Sequence, residues 1–217
     1  MRLNSKRLLV LLGVVLVLSV LAAGCANTGD PVAVVNGEEI SSKTFEEELA
    51  AAKDYYKQMG TDLDAEENKE QLAEVKEQVL DQLIDRTLLE QKIEEEGIEV
   101  SKEEVDGEIS KIEEQVGGKE ELDKILKEHN LNVDQLRSDI EYQLALEKLA
   151  KSRVDPVSEE EIQELYDQYA QNMENPESLE NMRGEIEQFL VQQQREKVLI
   201  ELVQELRDNA EIKKFLG

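Results

Sequence analysis

The chain has 217 residues and carries 51 acidic against 25 basic side chains, which gives a formal net charge of −26 at pH 7. A surface with this charge repels nucleic acid and anionic lipid headgroups. With no Trp and only 4% aromatic residues, the chain also supplies few platforms on which bases could stack. We therefore expect no nucleic-acid partner and no attachment to a membrane through a basic patch.

The first 24 residues have the layout of a secretory signal peptide. Arg2, Lys6 and Arg7 form a cationic start, an uncharged apolar run covers residues 8–21, and small residues follow. The apolar run is shorter than the roughly 20 residues that a membrane-spanning helix requires. Cleavage after residue 24 would leave 22 basic and 51 acidic side chains, a mature net charge of −29.

Residues 21–25, with the sequence Leu-Ala-Ala-Gly-Cys, resemble the bacterial lipoprotein box, in which the cysteine sulfur is lipidated before cleavage on its N-terminal side. Ala22 departs from the box, which most often has Leu at that place. The resemblance implies a lipid anchor at Cys25, with acyl chains such as palmitate, and an extracytoplasmic location at the cell membrane. The alternative is an ordinary cleaved signal that leaves Cys25, the only cysteine, as a free thiol.

A short β element follows a polar tether over residues 25–31. Residues 32–35 are apolar and mostly β-branched, and Asn36-Gly37 is a strong signal for a hairpin turn into a return strand over residues 38–40. Residues 210–215 could form a short terminal strand. Because strand edges left alone are unstable, we expect these two segments to meet in one small sheet.

Residues 41–208 carry apolar side chains at helical spacing, punctuated by glycines and capping residues. We expect Ser42 to cap a first helix that ends near Met59, and the last long helix to run from about Pro176 to Asp208. Between the first and the last of these helices, four residue pairs with the spacing of a capping box predict further helix starts. These pairs are Asp64 with Glu67, Ser101 with Glu104, Asn132 with Gln135, and Ser158 with Glu161. The pattern predicts a mainly α, extended multi-helix fold in which a small β element joins the N- and C-terminal segments.

The sequence supplies little for catalysis or metal binding. His129 is the only histidine and lies at a predicted helix end, where it can interact with the C-terminal carbonyls. A zinc site needs several His or Cys ligands, and acidic residues are so frequent that no carboxylate pair stands out. We therefore predict no catalytic residues, no metal and no cofactor.

Two groups of Tyr and Met residues are candidate contacts for a polypeptide ligand. Such adaptable side chains suit surfaces that bind many partners. The alternative is that most of them belong to the core. The candidates are Tyr55, Tyr56 and Met59 at the end of the first helix, and Tyr166, Tyr169 and Met173 beside a polar break at residues 172–176.

Residues 32–41 resemble the opening of the SurA/PrsA-type periplasmic and extracytoplasmic chaperones. There, a valine-rich strand, an Asn-Gly turn and an Ile-Ser step lead into a helix with an early Phe, here Phe45. Residues 83–89, 100–105, 131–149 and 157–166 resemble later parts of the same family, in the same order. The resemblance implies a SurA N-terminal-like chaperone domain over residues 32–217, in which residues 211–215 pair with the N-terminal strands.

The family commonly carries a parvulin isomerase domain, but here the chain passes from Tyr169 through Pro176 directly into its last helix. Parvulin sites use several histidines, which His129 alone cannot supply. The resemblance therefore implies an ATP-independent holdase or foldase for unfolded or newly secreted polypeptides, without isomerase activity. One alternative is a structural helical adaptor lipoprotein that docks one specific envelope partner, which a single large exposed apolar stripe would favour. Another is an isomerase with an unrecognised site.

Overall fold

A computed structural model describes residues 30–128, 131–173 and 175–216. The predicted signal peptide, Cys25 and His129 lie outside these residues. Within them the chain forms three short strands, seven α-helices and one 3-10 turn. This confirms the prediction of a mainly α fold with a small β element.

The helices and strands follow in the predicted order. Their bounds are β1 Pro31–Val35, β2 Glu38–Ser41, α1 Ser42–Gln58, the 3-10 turn Glu66–Asn68, α2 Lys69–Glu95, α3 Lys102–Val116, α4 Lys119–Glu128, α5 Val133–Lys151, α6 Glu159–Gln171, α7 Leu179–Asn209 and β3 Ile212–Lys214.

The three strands form one sheet with the order β2-β1-β3. Strands β1 and β2 pair in antiparallel fashion, and both turn residues between them have positive φ, 52° at Asn36 and 91° at Gly37. Such values suit a tight hairpin, whose twist matches that of the flanking strands. The backbone N–H of Phe215 donates to the carbonyl of Val32 at 2.8 Å. The C-terminal segment therefore joins the N-terminal hairpin, as predicted.

Side-chain caps fix most of the helix starts. The capping boxes predicted at Ser101, Asn132 and Ser158 are all complete, with both reciprocal hydrogen bonds present. The cap predicted at Ser42 is wrong by one residue, because Ser41 caps α1 and Ser42 is already helical. Ser41 keeps extended backbone angles as the last residue of β2, whereas the hydroxyl of Ser42 donates to the carbonyl of Asp30.

The capping box predicted at Asp64 is also wrong. Helix α2 begins at Lys69, after the 3-10 turn, rather than beside Asp64. The carboxylate of Asp64 accepts from Lys53 Nζ at 2.6 Å, and its backbone N–H donates to the Asp62 side chain at 3.1 Å. These contacts hold Asp64 in a turn, where it cannot serve as the first cap of α2.

The described residues fall into two units, and the boundary lies within α2 after Leu80. The first unit comprises residues 30–80 and 213–216, and contains the β1–β2 hairpin, α1 and the start of α2. Its buried apolar side chains come from both strands of the hairpin, from α1 and α2 and, at Leu63, from the turn between these helices. They are Ala33, Val35, Ile40, Phe45, Leu49, Leu63, Val75, Val79 and Leu80.

The second unit comprises residues 81–212, and two apolar clusters lie among its described residues. The first cluster joins α3, α4 and α5 through Val105, Ile109, Leu122, Leu126 and Ile140. The second joins α2, α5 and α7 through Leu89, Leu149 and Leu202. Helix α5 takes part in both clusters, so its position determines which faces of α2 and α3 pack against it.

Candidate functional site

The first predicted contact group lies on the last turn of α1 and at Met59, the residue that caps its C-terminus. Tyr55 and Met59 are 62% and 71% exposed, while Tyr56 is half-buried. The Tyr55 and Tyr56 rings meet edge to face, with centroids 6.0 Å apart and an angle of 87°. The backbone N–H of Met59 donates to the Tyr55 carbonyl, so the two residues lie one helical turn apart. Both therefore present apolar area at the surface of the first unit, not in its core.

The second predicted group lies at the end of α6 in the second unit. The ring centroids of Tyr166 and Tyr169 are 6.3 Å apart, and both residues are half-buried. The hydroxyl of Tyr166 donates to the carbonyl of Glu177 at 2.9 Å, which fastens the segment after α6 to that helix. Met173 is 51% exposed. In this group Met173 is the residue most open to a ligand, while Tyr166 has a structural contact.

A groove that the sequence did not single out lies between α2 and α5 of the second unit. It has a volume of about 360 Å³. Its floor is apolar and comes from both helices and from the segment that follows α2. The floor consists of Ile93, Ile98, Val100 and Ala145.

One wall of this groove is a stacked pair. The Arg86 guanidinium lies over the Tyr142 ring, with Cζ 4.6 Å from the ring centroid. Arg86 Nε donates to Glu90 Oε1 at 2.9 Å, and its NH1 group lies 3.7 Å from Asp139 Oδ1. Burial raises the pKa of the Tyr142 phenol to about 12, and the charge of Glu90 acts in the same direction. The Tyr142 ring is therefore an uncharged wall of the groove at physiological pH. The Arg86 cation that holds it is itself paired with Glu90.

The rim of the groove is acidic. Glu90, Glu94 and Glu141 line it together with Arg86, which is the only basic side chain among the described residues that line the groove. Glu90 is engaged by Arg86. Glu94 and Glu141 are exposed, and their side chains form no hydrogen bond or ion pair with other described residues. The groove thus combines an apolar floor with two carboxylates that have no counter-ion among the described residues.

A further apolar surface lies on the C-terminal half of α7. Leu199, Ile200 and Val203 line a shallow depression of about 730 Å³, and Ile200 is 71% exposed. Phe189 is 51% exposed and lies three turns earlier on the same helix face. The exposed side chains of Gln193, Glu196 and Lys197 interrupt the face between them. Helix α7 therefore carries separate apolar patches, not one continuous stripe.

Over the described part of the chain, the large exposed apolar residues are spread across several elements. They are Tyr55, Met59, Leu131, Met173, Phe189, Ile200 and Phe215. No group of three or more His, Cys, Asp or Glu side chains within residues 30–128, 131–173 and 175–216 could hold a metal ion. Among the same residues, no helix has both the length and the apolar character needed to cross a bilayer. These surfaces can therefore form non-covalent contacts with apolar and basic groups of a ligand.

The SurA-like N-terminal domain family matches residues 1–150 of this sequence. Since the match covers 150 of the 217 residues, the chain belongs to this family, which is chaperone-related. The resemblance drawn from residues 32–41 is thereby confirmed. The comparison with curated proteins gave no match. The matched region contains α1 with Tyr55 and the groove between α2 and α5, whereas α6 and α7 lie beyond it.

Proposed function

We propose that this protein is a lipid-anchored, ATP-independent chaperone that binds unfolded or newly secreted polypeptides outside the cytoplasm. The observation that carries the proposal is its membership of the SurA-like N-terminal domain family. The exposed apolar residues on α1 and the groove between α2 and α5 lie within the matched region. These are surfaces on which an unfolded chain could place short apolar segments.

The distribution of exposed apolar area favours many weak contacts. Full burial of one large apolar side chain is worth about 1.5–3 kcal/mol, so a single patch such as Tyr55 with Met59 binds weakly by itself. An unfolded chain has many apolar residues and can occupy several such patches in turn. An adaptor for one folded partner would need a continuous interface of about 1,000 Å² or more. The interrupted face of α7 between Phe189 and Ile200 therefore favours the chaperone over the adaptor.

Weak binding also fits the mode of release. The sequence contains no nucleotide-binding motif that could drive a release step. Each 1.4 kcal/mol of added affinity tightens binding about tenfold, mostly by slowing dissociation. Weak contacts let the client leave when it folds. The net charge of −26 keeps the complex soluble and favours clients with a net positive charge through long-range attraction.

The proposed location follows from the N-terminal sequence. A signal peptide and two acyl groups at Cys25 would give a stable membrane anchor, since two lipid chains hold far more firmly than one. We also propose that the protein has no prolyl isomerase activity. No parvulin match accompanies the N-terminal domain match, and only residues 172–178 connect α6 to α7. A segment of that length cannot hold an inserted domain.

The test is suppression of aggregation, followed by light scattering, for several unrelated unfolded proteins with the mature protein carrying Cys25→Ser. We expect suppression of all of them, and weaker suppression when Tyr55, Tyr56 and Met59 are changed to Ser together. A second variant, which should also suppress aggregation more weakly, changes Tyr169 and Met173 to Ser. It leaves the Tyr166 hydrogen bond in place.

The matched control for the α1 variant changes Asp54 and Gln58, which are exposed on the same helix, to Ser. This variant should suppress aggregation as well as the wild type does. Binding restricted to one folded partner would support the adaptor instead. Clear acceleration of proline isomerisation in a short peptide would show that the protein is an enzyme.

A further inference from the structure

We propose that the groove between α2 and α5 binds a short extended segment of an unfolded client, with an apolar side chain on its floor and a neighbouring Lys or Arg at its rim. This inference rests on the proposed function and specifies where, and with which chemistry, a client is held.

The floor of the groove sets the size of the ligand. Ile93, Ile98, Val100 and Ala145 offer apolar contact from α2, α5 and the segment between α2 and α3. The volume of about 360 Å³ lies at the small end of the roughly 300–1,000 Å³ typical of ligand sites. It is enough for one or two side chains of an extended chain, but not for a surface of a folded domain.

The rim sets the charge of the ligand. Glu94 and Glu141 are exposed and have no internal counter-ion among the described residues, while Arg86 is already paired with Glu90. Three carboxylates and one guanidinium line the groove, so it carries a net negative charge. A Lys or Arg next to the bound apolar residue would gain a partner at this rim. An acidic segment, an anionic lipid, or a second copy of this chain with its net charge of −26, would be repelled.

The stacked pair makes the groove ready to bind. The Tyr142 ring is held by Arg86, whose guanidinium is in turn held by Glu90 and lies close to Asp139. Because this wall is already ordered before binding, ordering its side chains adds no entropic cost when the ligand binds. The same stack leaves Arg86 unable to neutralise Glu94 or Glu141 without breaking its own contacts.

The experiment measures the affinity of short, unstructured, dye-labelled peptides for the full-length protein in phosphatidylcholine vesicles. One peptide carries Leu-Lys pairs in a Ser-Gly background. In the second peptide Glu replaces each Lys, and in the third Ser replaces each Leu. We expect the Leu-Lys peptide to bind more tightly than either of the others, and its affinity to fall with added salt because the rim charges are exposed.

The decisive variant is Glu94→Lys with Glu141→Lys. It should weaken binding of the Leu-Lys peptide about tenfold, since two attractive pairs of modest strength become repulsive. The same variant should bind the Leu-Glu peptide more tightly than the wild type does. A misfolded protein would not gain this affinity, so loss of structure cannot produce the result. The matched control is Glu114→Lys with Glu185→Lys, which makes the same charge change at exposed helix positions outside the groove.

Several outcomes would overturn the proposal. Equal weakening in the decisive variant and in the control would show an effect of overall charge. Equal binding of the Leu-Lys and Ser-Lys peptides would show that the floor contributes nothing. Unchanged peptide binding in the decisive variant, with wild-type protein that still suppresses aggregation, would place client binding elsewhere and leave the proposed function standing. Wild-type protein that binds no peptide and suppresses no aggregation would overturn the proposed function and the groove together.

Discussion

Lys148 of α5 and Glu104 of α3 form an ion pair in which Nζ lies 2.7 Å from Oε1 and 2.8 Å from Oε2. The Glu104 carboxylate also accepts from the backbone N–H of Ser101 at 2.8 Å, which completes the capping box of α3. One side chain therefore both starts α3 and ties it to α5. The hydrogen bond from Lys148, with those from Ser101, lowers the pKa of Glu104 from 4.5 to about 2.

Glu104→Gln should destabilise the protein in a way that depends on pH. Gln at this position can keep the capping box but cannot pair with the charge of Lys148. A carboxyl with a lowered pKa in the folded state contributes stability above its unfolded pKa and loses it as pH falls through the folded pKa. The difference in Tm between wild type and variant should therefore be largest at neutral pH and shrink from about pH 5 to about pH 2.

The matched control for this experiment is Glu103→Gln. Glu103 also lies in the first turn of α3 and forms no ion pair within the described segments. Its variant shares the change in helix-end charge but not the loss of the Lys148 contact. Thermal melts followed by circular dichroism would measure both variants. A gap between wild type and Glu104→Gln that stays constant over the whole pH range would contradict the role of this ion pair.

Deleting residues 212–217 should destabilise the first unit rather than merely shorten its tail. The deletion removes the hydrogen bond from the Phe215 N–H to Val32 and the ion pair between Lys214 and Glu77, and it uncovers the edge of β1. We expect a loss of about 2 kcal/mol in unfolding free energy, or roughly 4–8 °C in Tm for a chain of this length. Phe215→Ser is the control, because that residue is 55% exposed and the variant keeps the backbone N–H. An unchanged Tm after the deletion would show that β3 adds no stability.

Gly107→Ala and Gly184→Ala should each stabilise the protein. Both glycines lie inside helices, α3 and α7, and a Cβ added at either would meet no atom within 4 Å. Alanine in a helix interior is favoured over glycine by about 0.5–1 kcal/mol, which chemical denaturation can measure. Gly117→Ala should instead destabilise the protein by about 1 kcal/mol, since a side chain is strained in the left-handed region. Gly117 ends α3 with φ of 99°. Destabilisation by both helix-interior changes would contradict this prediction.

Cys25→Ser should release the protein from the membrane. The cysteine follows an uncharged apolar run and three small residues, and its sulfur is the atom that would carry the lipid. We expect the variant in the aqueous fraction after cell lysis, or retained with its signal peptide uncleaved. Ala26→Ser, one residue later, should leave anchoring unchanged. Normal cleavage of Cys25→Ser together with full membrane retention would show that something else anchors the protein.

Local patterns in the sequence were enough to locate most of the secondary structure. The capping boxes at Ser101, Asn132 and Ser158 and the Asn36-Gly37 turn depend on residues within four positions of one another, so their geometry is fixed by the adjacent chain. The meeting of the two chain ends also followed from the sequence. The C-terminal strand segment had no partner other than the strands of the N-terminal hairpin, and the family resemblance implied the same pairing.

Contacts between residues far apart in the chain decided the rest. Asp64 looked like a helix cap, but Lys53 holds its carboxylate in a turn. The stack of Arg86 on Tyr142, and the groove beside it, arise from how α2 and α5 pack around the apolar cluster that they share. The sequence by itself determined the elements, three of the capping boxes and the family of this protein. Only the tertiary structure decided which helix faces meet, because that choice depends on the packing of side chains from separate elements and not on periodicity within one.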